Sequence, residues 1–271
     1  MNKQQEILKI YKETGNKTET AAILGITRHA VRWATKAINI GRKTTTGKSK
    51  VLIIGDTHAP AMHKNYIEFL LDIQSKHKCD RVVHIGDLVD WNAISFHEKD
   101  PSMPSAEEEF NLASEQVKLL HKAFPSVEYM TGNHSAMPAR KARLVGLPDA
   151  VMKNFKDLWQ LEGWTIHPRY GDLIIDDVIY RHGDKGKGGA PAAIKNAQAE
   201  FRSVVQGHFH AQAGVVFHAC LKDLVFGMQV GCGVDHDNPA MNYGKIYSAK
   251  PILGCGVVID GIHPIFEPLS L

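Results

Sequence analysis

The 271-residue chain has only four cysteines, Cys79, Cys220, Cys232 and Cys255, scattered rather than paired. That spacing argues against a disulfide-stapled secreted scaffold and against a zinc knuckle, and the thiols read as buried groups of a reducing compartment. Long apolar runs are also missing: none approaches the roughly 20 residues of a membrane-spanning helix, and the start MNKQQEILKIY lacks the apolar core of a secretory signal. A cytoplasmic protein with no membrane partner is expected. No internal repeat interrupts the chain, and its one compositional bias is a Gly and Lys loop at 183–189. Acid is scarce at the front. The first fifty residues hold 3 Asp and Glu against 11 Lys and Arg, a net of +8, whereas 51–271 carry 26 against 21, a net of −5. The whole-chain value of +3 hides that asymmetry.

What is present is an ordered series of short motifs: GDTH at 55–58, GDLVD at 86–90, GNH at 132–134, HG at 182–183 and GHFH at 207–210. The runs VLII, RVVHI, VEYM and SVVQ precede four of them, and their β-branched, apolar character predicts strands that end at the motif loops. Asp56 and His58 are two residues apart, as are His208 and His210. In extended backbone each pair therefore faces one side, with Thr57 or Phe209 on the other. Asp, Asn and His together supply the hard oxygen and imidazole donors that suit two divalent cations with positions left open for water and a phosphoryl oxygen. His84, inside the second run, reads as a core or sheet-face residue. Helices are expected near 65–76, 105–123, 150–160 and 190–200, and late strands near 173–181, 203–207, 214–219, 224–231, 253–259 and 262–266.

In order and residue type this series resembles the calcineurin-like metallophosphoesterase superfamily, over residues 50 to 265. The resemblance implies an α/β fold, a four-layer α/β/β/α sandwich, spanning 51–271. It implies two divalent metal ions, with Asp56, His58 and His210 at one, Asn133, His182 and His208 at the other, and Asp87 bridging. Manganese is the first expectation, and iron, zinc or nickel suit the same donors. The implied nucleophile is a metal-bridging hydroxide, while His134 stabilises the transition state or protonates the leaving oxygen and Asp90 orients it. Two carboxylates among seven ligands leave the first shell net positive, which favours an anionic phosphate ester. Protein phosphatases of the superfamily carry GDxxDR and GNHE, where this chain has Trp91 and Ser135. Arg140, with Lys141 and Arg143 beside it, is a substitute grip on phosphate. Lys185 and Lys187 in HGDKGKGG are another, although that loop reads equally well as solvated. Segment 231–247, with Asp235, His236, Asp237 and Tyr243, reads as an ordered surface loop, the alternative being a lid or rim that selects substrate.

The front is a different object. In TETAAILGITRHAVRWATKAI, Ala21, Gly25 and Val31 fall at helix-turn-helix spacing, with Gly25 allowing the turn. Ala21, Leu24, Ile26 and Val31 would form a small core, and Thr27 would cap the second helix. The pattern resembles the helix-turn-helix modules of transposases and of phage or bacterial regulators, the alternative being a helical hairpin that only packs. We expect an all-α module at 1–40 and a basic linker at 41–50. Concentrated positive charge attracts phosphate backbone through counterion release. Arg28, Arg32 and Lys36 share one helix face and, with His29, Arg42 and Lys43, are the candidate DNA contacts. The expected function is a two-metal phosphodiesterase or nuclease acting on DNA in a bacterial or phage-infected cell, possible homo-oligomers included. A nucleotide or phosphoprotein monoesterase and a non-enzymatic DNA-binding regulator with an idle metal site are the other readings.

Overall fold

The computed structural model describes residues 3–14, 16–31, 49–96, 103–186, 188–189, 191–219, 221, 223–235, 237–238 and 249–269. The chain separates into two compact units, 1–47 and 48–271. In the first, α1 (Lys3–Thr14) precedes α2 (Lys17–Ile23). The Asn16 side chain caps α2 by accepting from the Thr18 N–H at 2.9 Å. Gly25 turns the chain at φ +60°, a left-handed value that costs glycine little. Thr27 Oγ1 then accepts from the Ala30 N–H at 3.1 Å and opens the helical residues 28–31. Ile7, Ala21 and Val31 are buried together, with Tyr11, Leu24 and Ile26 packed against them.

The second unit is a mixed α/β fold with two sheets. Its elements run β1 (Lys50–Ile54), α3 (Tyr66–His77), β2 (Arg81–His84), α4 (Ala106–Ala123), β3 (Glu128–Met130), α5 (Met137–Leu144), α6 (Phe155–Trp159) and β4 (Thr165–His167). They continue through β5 (Leu173–Ile175), β6 (Val178–Arg181), α7 (Ala192–Glu200), β7 (Val204–Gln206), β8 (Ala213–Ala219), β9 (Leu224–Val230), β10 (Gly254–Ile259) and β11 (His263–Pro268). The sheet orders are β11-β10-β1-β2-β3-β4 and β5-β6-β7-β9-β8.

Side-chain alternation builds the layers. Along β1, Val51 and Ile53 enter an apolar layer shared with Tyr180, Val205, Met228 and Val230 of the other sheet, while Leu52 and Ile54 face Tyr66, Leu70, Val117 and Leu120 of the helices. A strand buried on both faces has no polar positions to spare, which is why VLII is apolar throughout. On the far side of the second sheet, Ile194 and Ala197 of α7 pack on Ile179 and Val204. The succession is helix, sheet, sheet, helix, as in a metallophosphoesterase sandwich. Gly227 on β9 lets α7 come close, since a Cβ there would overlap the backbone of Ala193 and Ile194.

Three details depart from the sequence-based expectations. The strand expected at 173–181 is a hairpin, because Asp176 and Asp177 adopt left-handed backbone, φ 47° and 66°, between β5 and β6. The helix expected at 150–160 shrinks to α6, preceded by a 3-10 turn at Asp149–Val151, since Asn154 caps a fresh start by accepting from the Asp157 N–H. Helix α5 and strand β4 were not anticipated: MPARKARL carries too few apolar residues to advertise a buried face, and β4 is a three-residue edge.

Candidate metal centre

Strands β1, β2 and β3 run parallel in one sheet, and β6 and β7 run parallel in the other. Parallel strands release their loops at the same end, so the motifs that follow all five converge. Asp56, His58 and His210 offer ligand atoms within 4.8 Å of one another, and so do Asp87, His182 and His208. Asn133 joins the second group, its Oδ1 lying 3.0 Å from His182 Nε2. The sequence-nominated ligands are thus brought together, the first group by His210 Nε2 at 3.1 Å from Asp56 Oδ2 and the second by His182 Nε2 at 3.2 Å from Asp87 Oδ2.

The backbone is bent to make this cleft. His58, Asp87 and His208 are left-handed, with φ of 45°, 45° and 71°. Non-glycine residues seldom rest there, and each such position costs about 1 to 3 kcal/mol that the surrounding packing must offset. Glycine fills the spaces between ligands. A Cβ on Gly132 would overlap Asp87 Oδ1, and one on Gly207 would overlap Asp56 Oδ1.

The chemistry of the donors fits divalent cations. Asp56 Oδ1 and His58 Nε2 are buried with no hydrogen-bond partner among the described residues, although buried polar atoms are ordinarily satisfied. The carboxylates also draw positive charge into the cleft. Burial penalises the His182 imidazolium, yet Asp87 and Asp56 outweigh it and lift the pKa to about 10. Their demand for a cation is the one that a metal ion meets.

Asp90 serves two histidines. Its Oδ1 lies 2.7 Å from His58 Nδ1, leaving His58 Nε2 free to face the cleft, and 3.1 Å from His134 Nδ1. His134 Nδ1 also meets the Asp90 carbonyl at 2.7 Å, and its backbone N–H donates to Asp87 Oδ1 at 2.8 Å. Burial works against charge on His134, but the Asp90 hydrogen bond and the Asp87 and Asp90 charges prevail and hold its pKa at about 9. Asp90 in turn is held at about 2 against burial by hydrogen bonds from His134 and His58.

Several further residues support the centre. Tyr129 donates to Ser135 Oγ at 2.6 Å and accepts from the Leu88 N–H at 3.3 Å, so it ties the GNH loop to the GDLVD loop. Ser135 thus fills the position after GNH with a hydrogen bond to the sheet. Glu109 of α4, almost fully buried, accepts from the Asn92 N–H at 2.6 Å and the Ala93 N–H at 2.8 Å, and anchors the turn just after Asp90. His84 is in the core: Nε2 lies 3.2 Å from Thr57 Oγ1, and burial pushes its pKa down to about 3. Ser135 is signalled by its departure from a family motif and His84 by its place inside a strand run, where it is buried as that place suggests; Tyr129 and Glu109 carry no such signal.

The remaining nominated residues are scattered. Arg140 lies over the Phe96 ring. Lys185 is engaged elsewhere, donating to the Tyr170 carbonyl at 3.1 Å and pairing with Asp172 at 3.6 Å. Arg28 and His29 are exposed in the first unit. Arg32, Lys36, Arg42, Lys43, Lys187, Cys220, His236 and Tyr243 lie outside the described residues. Cys79, Cys232 and Cys255 are buried free thiols. Among the described residues no helix is long and apolar enough to cross a membrane.

A family model described as calcineurin-like phosphoesterase matches residues 49–212, more than half of the chain. No curated protein matches significantly. Among solved structures, a metallophosphoesterase from Sphaerobacter thermophilus is 15% identical, covering 83% of this chain and 89% of its own, at a TM-score of 0.41. Vacuolar protein sorting 29 from Cryptosporidium parvum is 15% identical over 83% and 99%, at 0.39. The phosphoesterase YfcE from E. coli is 14% identical over 80% and 98%, at 0.38. Likenesses this loose carry nothing about substrate or partner.

Proposed function

This chain belongs to the calcineurin-like phosphoesterase family, and on that premise we propose that it is a divalent-metal phosphodiesterase directed to DNA. The family implies divalent metal ions. Asp56, His58 and His210 would hold one, Asn133, His182 and His208 the other, and Asp87 would serve both; manganese is our first choice, with iron, zinc and nickel suited to the same donors. Bound there, the ions supply Lewis acidity toward phosphoryl oxygens and a nucleophile at neutral pH. The protein does the rest. His134 is engaged through Nδ1 by Asp90, so the proton it offers a departing oxygen is the one on Nε2. Burial works against charge on this ring, and its hydrogen bond to Asp90 favours the protonated form. Asp90 fixes the ring and, through His58, the ligand cleft at the same time.

We expect His134→Gln to lower kcat on methyl p-nitrophenyl phosphate by about 10²- to 10⁴-fold, the usual worth of a positioned general acid, with KM changed only a few-fold. Steady-state kinetics with manganese check this, and a kcat within threefold of the parent would remove His134 from the mechanism.

One observation carries the DNA assignment: the net of +8 on the first fifty residues beside a catalytic region of −5. The turn at Gly25, the Thr27 cap and the Ile7, Ala21 and Val31 core support reading residues 1–40 as a helix-turn-helix module. Arg28 and His29 are exposed in the helical residues 28–31 that follow the turn and, with Arg32, Lys36, Arg42 and Lys43, are the contacts we propose. A chain beginning at residue 48 is expected to bind duplex DNA at least about tenfold more weakly, through loss of phosphate contacts, while turning over the small diester within twofold. Fluorescence anisotropy beside turnover tests it. Equal DNA affinity without the module would sink recruitment, and hydrolysis of monoesters alone would favour the phosphomonoesterase reading.

A further inference from the structure

Phe96 stands six residues beyond Asp90 on the loop that follows GDLVD, and Arg140 stands six beyond His134, on α5 after the GNH loop. The two loops touch at their roots, where His134 Nδ1 meets the Asp90 carbonyl. They touch again further out. The Arg140 guanidinium carbon lies 4.9 Å and Lys141 Nζ 3.8 Å from the centroid of the Phe96 ring, and Lys141 Nζ donates to the Ser95 carbonyl at 3.4 Å. Six residues span at most about 20 Å fully extended, so the ring and its cations stand within a few nucleotides of the metal-ligand cluster.

A lone exposed phenylalanine needs no explanation, and Phe96 is 53% exposed. Its company is the informative part. Arg143, next along α5, is neutralised by Asp149 through two hydrogen bonds at 2.9 and 2.6 Å. Among the described residues Arg140 and Lys141 pair with no carboxylate and lie instead over the Phe96 ring. A flat ring beside unpaired cations combines the two things a single strand offers for recognition, a base face and a phosphate. Duplex DNA keeps its base faces inside the stack, and a small phosphomonoester has no flanking phosphate to reward the cations.

We propose that Phe96, Arg140 and Lys141 form a platform for single-stranded polynucleotide beside the metal centre: the exposed part of the ring, which the two cations do not cover, meets a base, and the cations take the phosphates that flank it. The platform rests on the phosphodiesterase reading and narrows it, because it makes single strands or frayed ends the substrate form.

The test compares cleavage of oligothymidylate with that of an abasic sugar-phosphate strand of equal length, using the full chain with manganese. Base–aromatic stacking supports a preference in kcat/KM of about tenfold or more for the strand with bases. Phe96→Ala is expected to bring that ratio close to one, and Phe96→Trp to keep it. Replacing Arg140 and Lys141 by glutamine is expected to raise KM for both strands alike and to flatten the dependence of log KM on log salt. A parent enzyme that hydrolyses methyl p-nitrophenyl phosphate yet treats the two strands equally would overturn the platform alone. So would a preference that survives Phe96→Ala. A parent enzyme inert toward the small diester would overturn the phosphodiesterase reading, and the platform with it.

Discussion

Asp87→Asn is expected to lower hydrolysis of methyl p-nitrophenyl phosphate by about a thousandfold or more, because it deletes the one carboxylate that would serve both cations while leaving the shape of the cleft intact. The amide keeps an oxygen for the His134 N–H, which now donates to Asp87 Oδ1 at 2.8 Å, so the GNH loop has no reason to move. What it cannot keep is the charge. Asp87 is held well below the usual carboxylate range by His182, His134 and His58 despite complete burial, and it is therefore ionised at any working pH. The same change should abolish stabilisation by metal. A cation at a hundred times its dissociation constant stabilises a folded protein by about 2.7 kcal/mol, so the parent's thermal midpoint should rise with added manganese and the variant's should not. Activity above a tenth of the parent's, or an undiminished rise in midpoint, would show that Asp87 is not the shared ligand.

Trp164→Ala is expected to cost about 3 to 5 kcal/mol, the usual range for emptying a buried aromatic site. Trp164 is 1% exposed, donates from Nε1 to the Phe124 carbonyl at 2.8 Å, and lies against His84, Tyr129 and His121. The loss is large beside a total stability of about 5 to 15 kcal/mol. It should also reach the metal centre, because Tyr129 holds the GNH and GDLVD loops and Trp164 stands behind Tyr129. Urea unfolding measures the cost; a change below 1 kcal/mol would mean that the surrounding core collapses into the space.

How much of this was legible beforehand follows from what each residue type advertises. Strands β1, β2, β3 and β7 announced themselves by short runs rich in apolar and β-branched residues, and each ended at a glycine-containing motif that carries Asp, Asn or His. The ligands converge because those strands are parallel, which local sequence does not encode. Glu109 was invisible for the opposite reason. In EEEF it looks like any acidic residue in the first turn of a helix, and only the tertiary fold brings it to the backbone after Asp90. The β5–β6 hairpin hid inside LIIDDVIY, where the two turn-forming aspartates sit in a run whose apolar residues suggest one strand. Helix α5 hid because its polar, basic surface left no periodic apolar stripe, and that same surface supplies Arg140 and Lys141.

The ligand groups draw on both sheets, Asp56, His58, Asp87 and Asn133 following strands of one and His182, His208 and His210 following strands of the other. A chain in which the sheets have not yet docked therefore owns two half-sets of ligands and no site. Cation affinity becomes a gauge of closure: an ion gripped from both sides is a rivet between them, and a chelator that withdraws it removes a cross-brace as well as a catalyst.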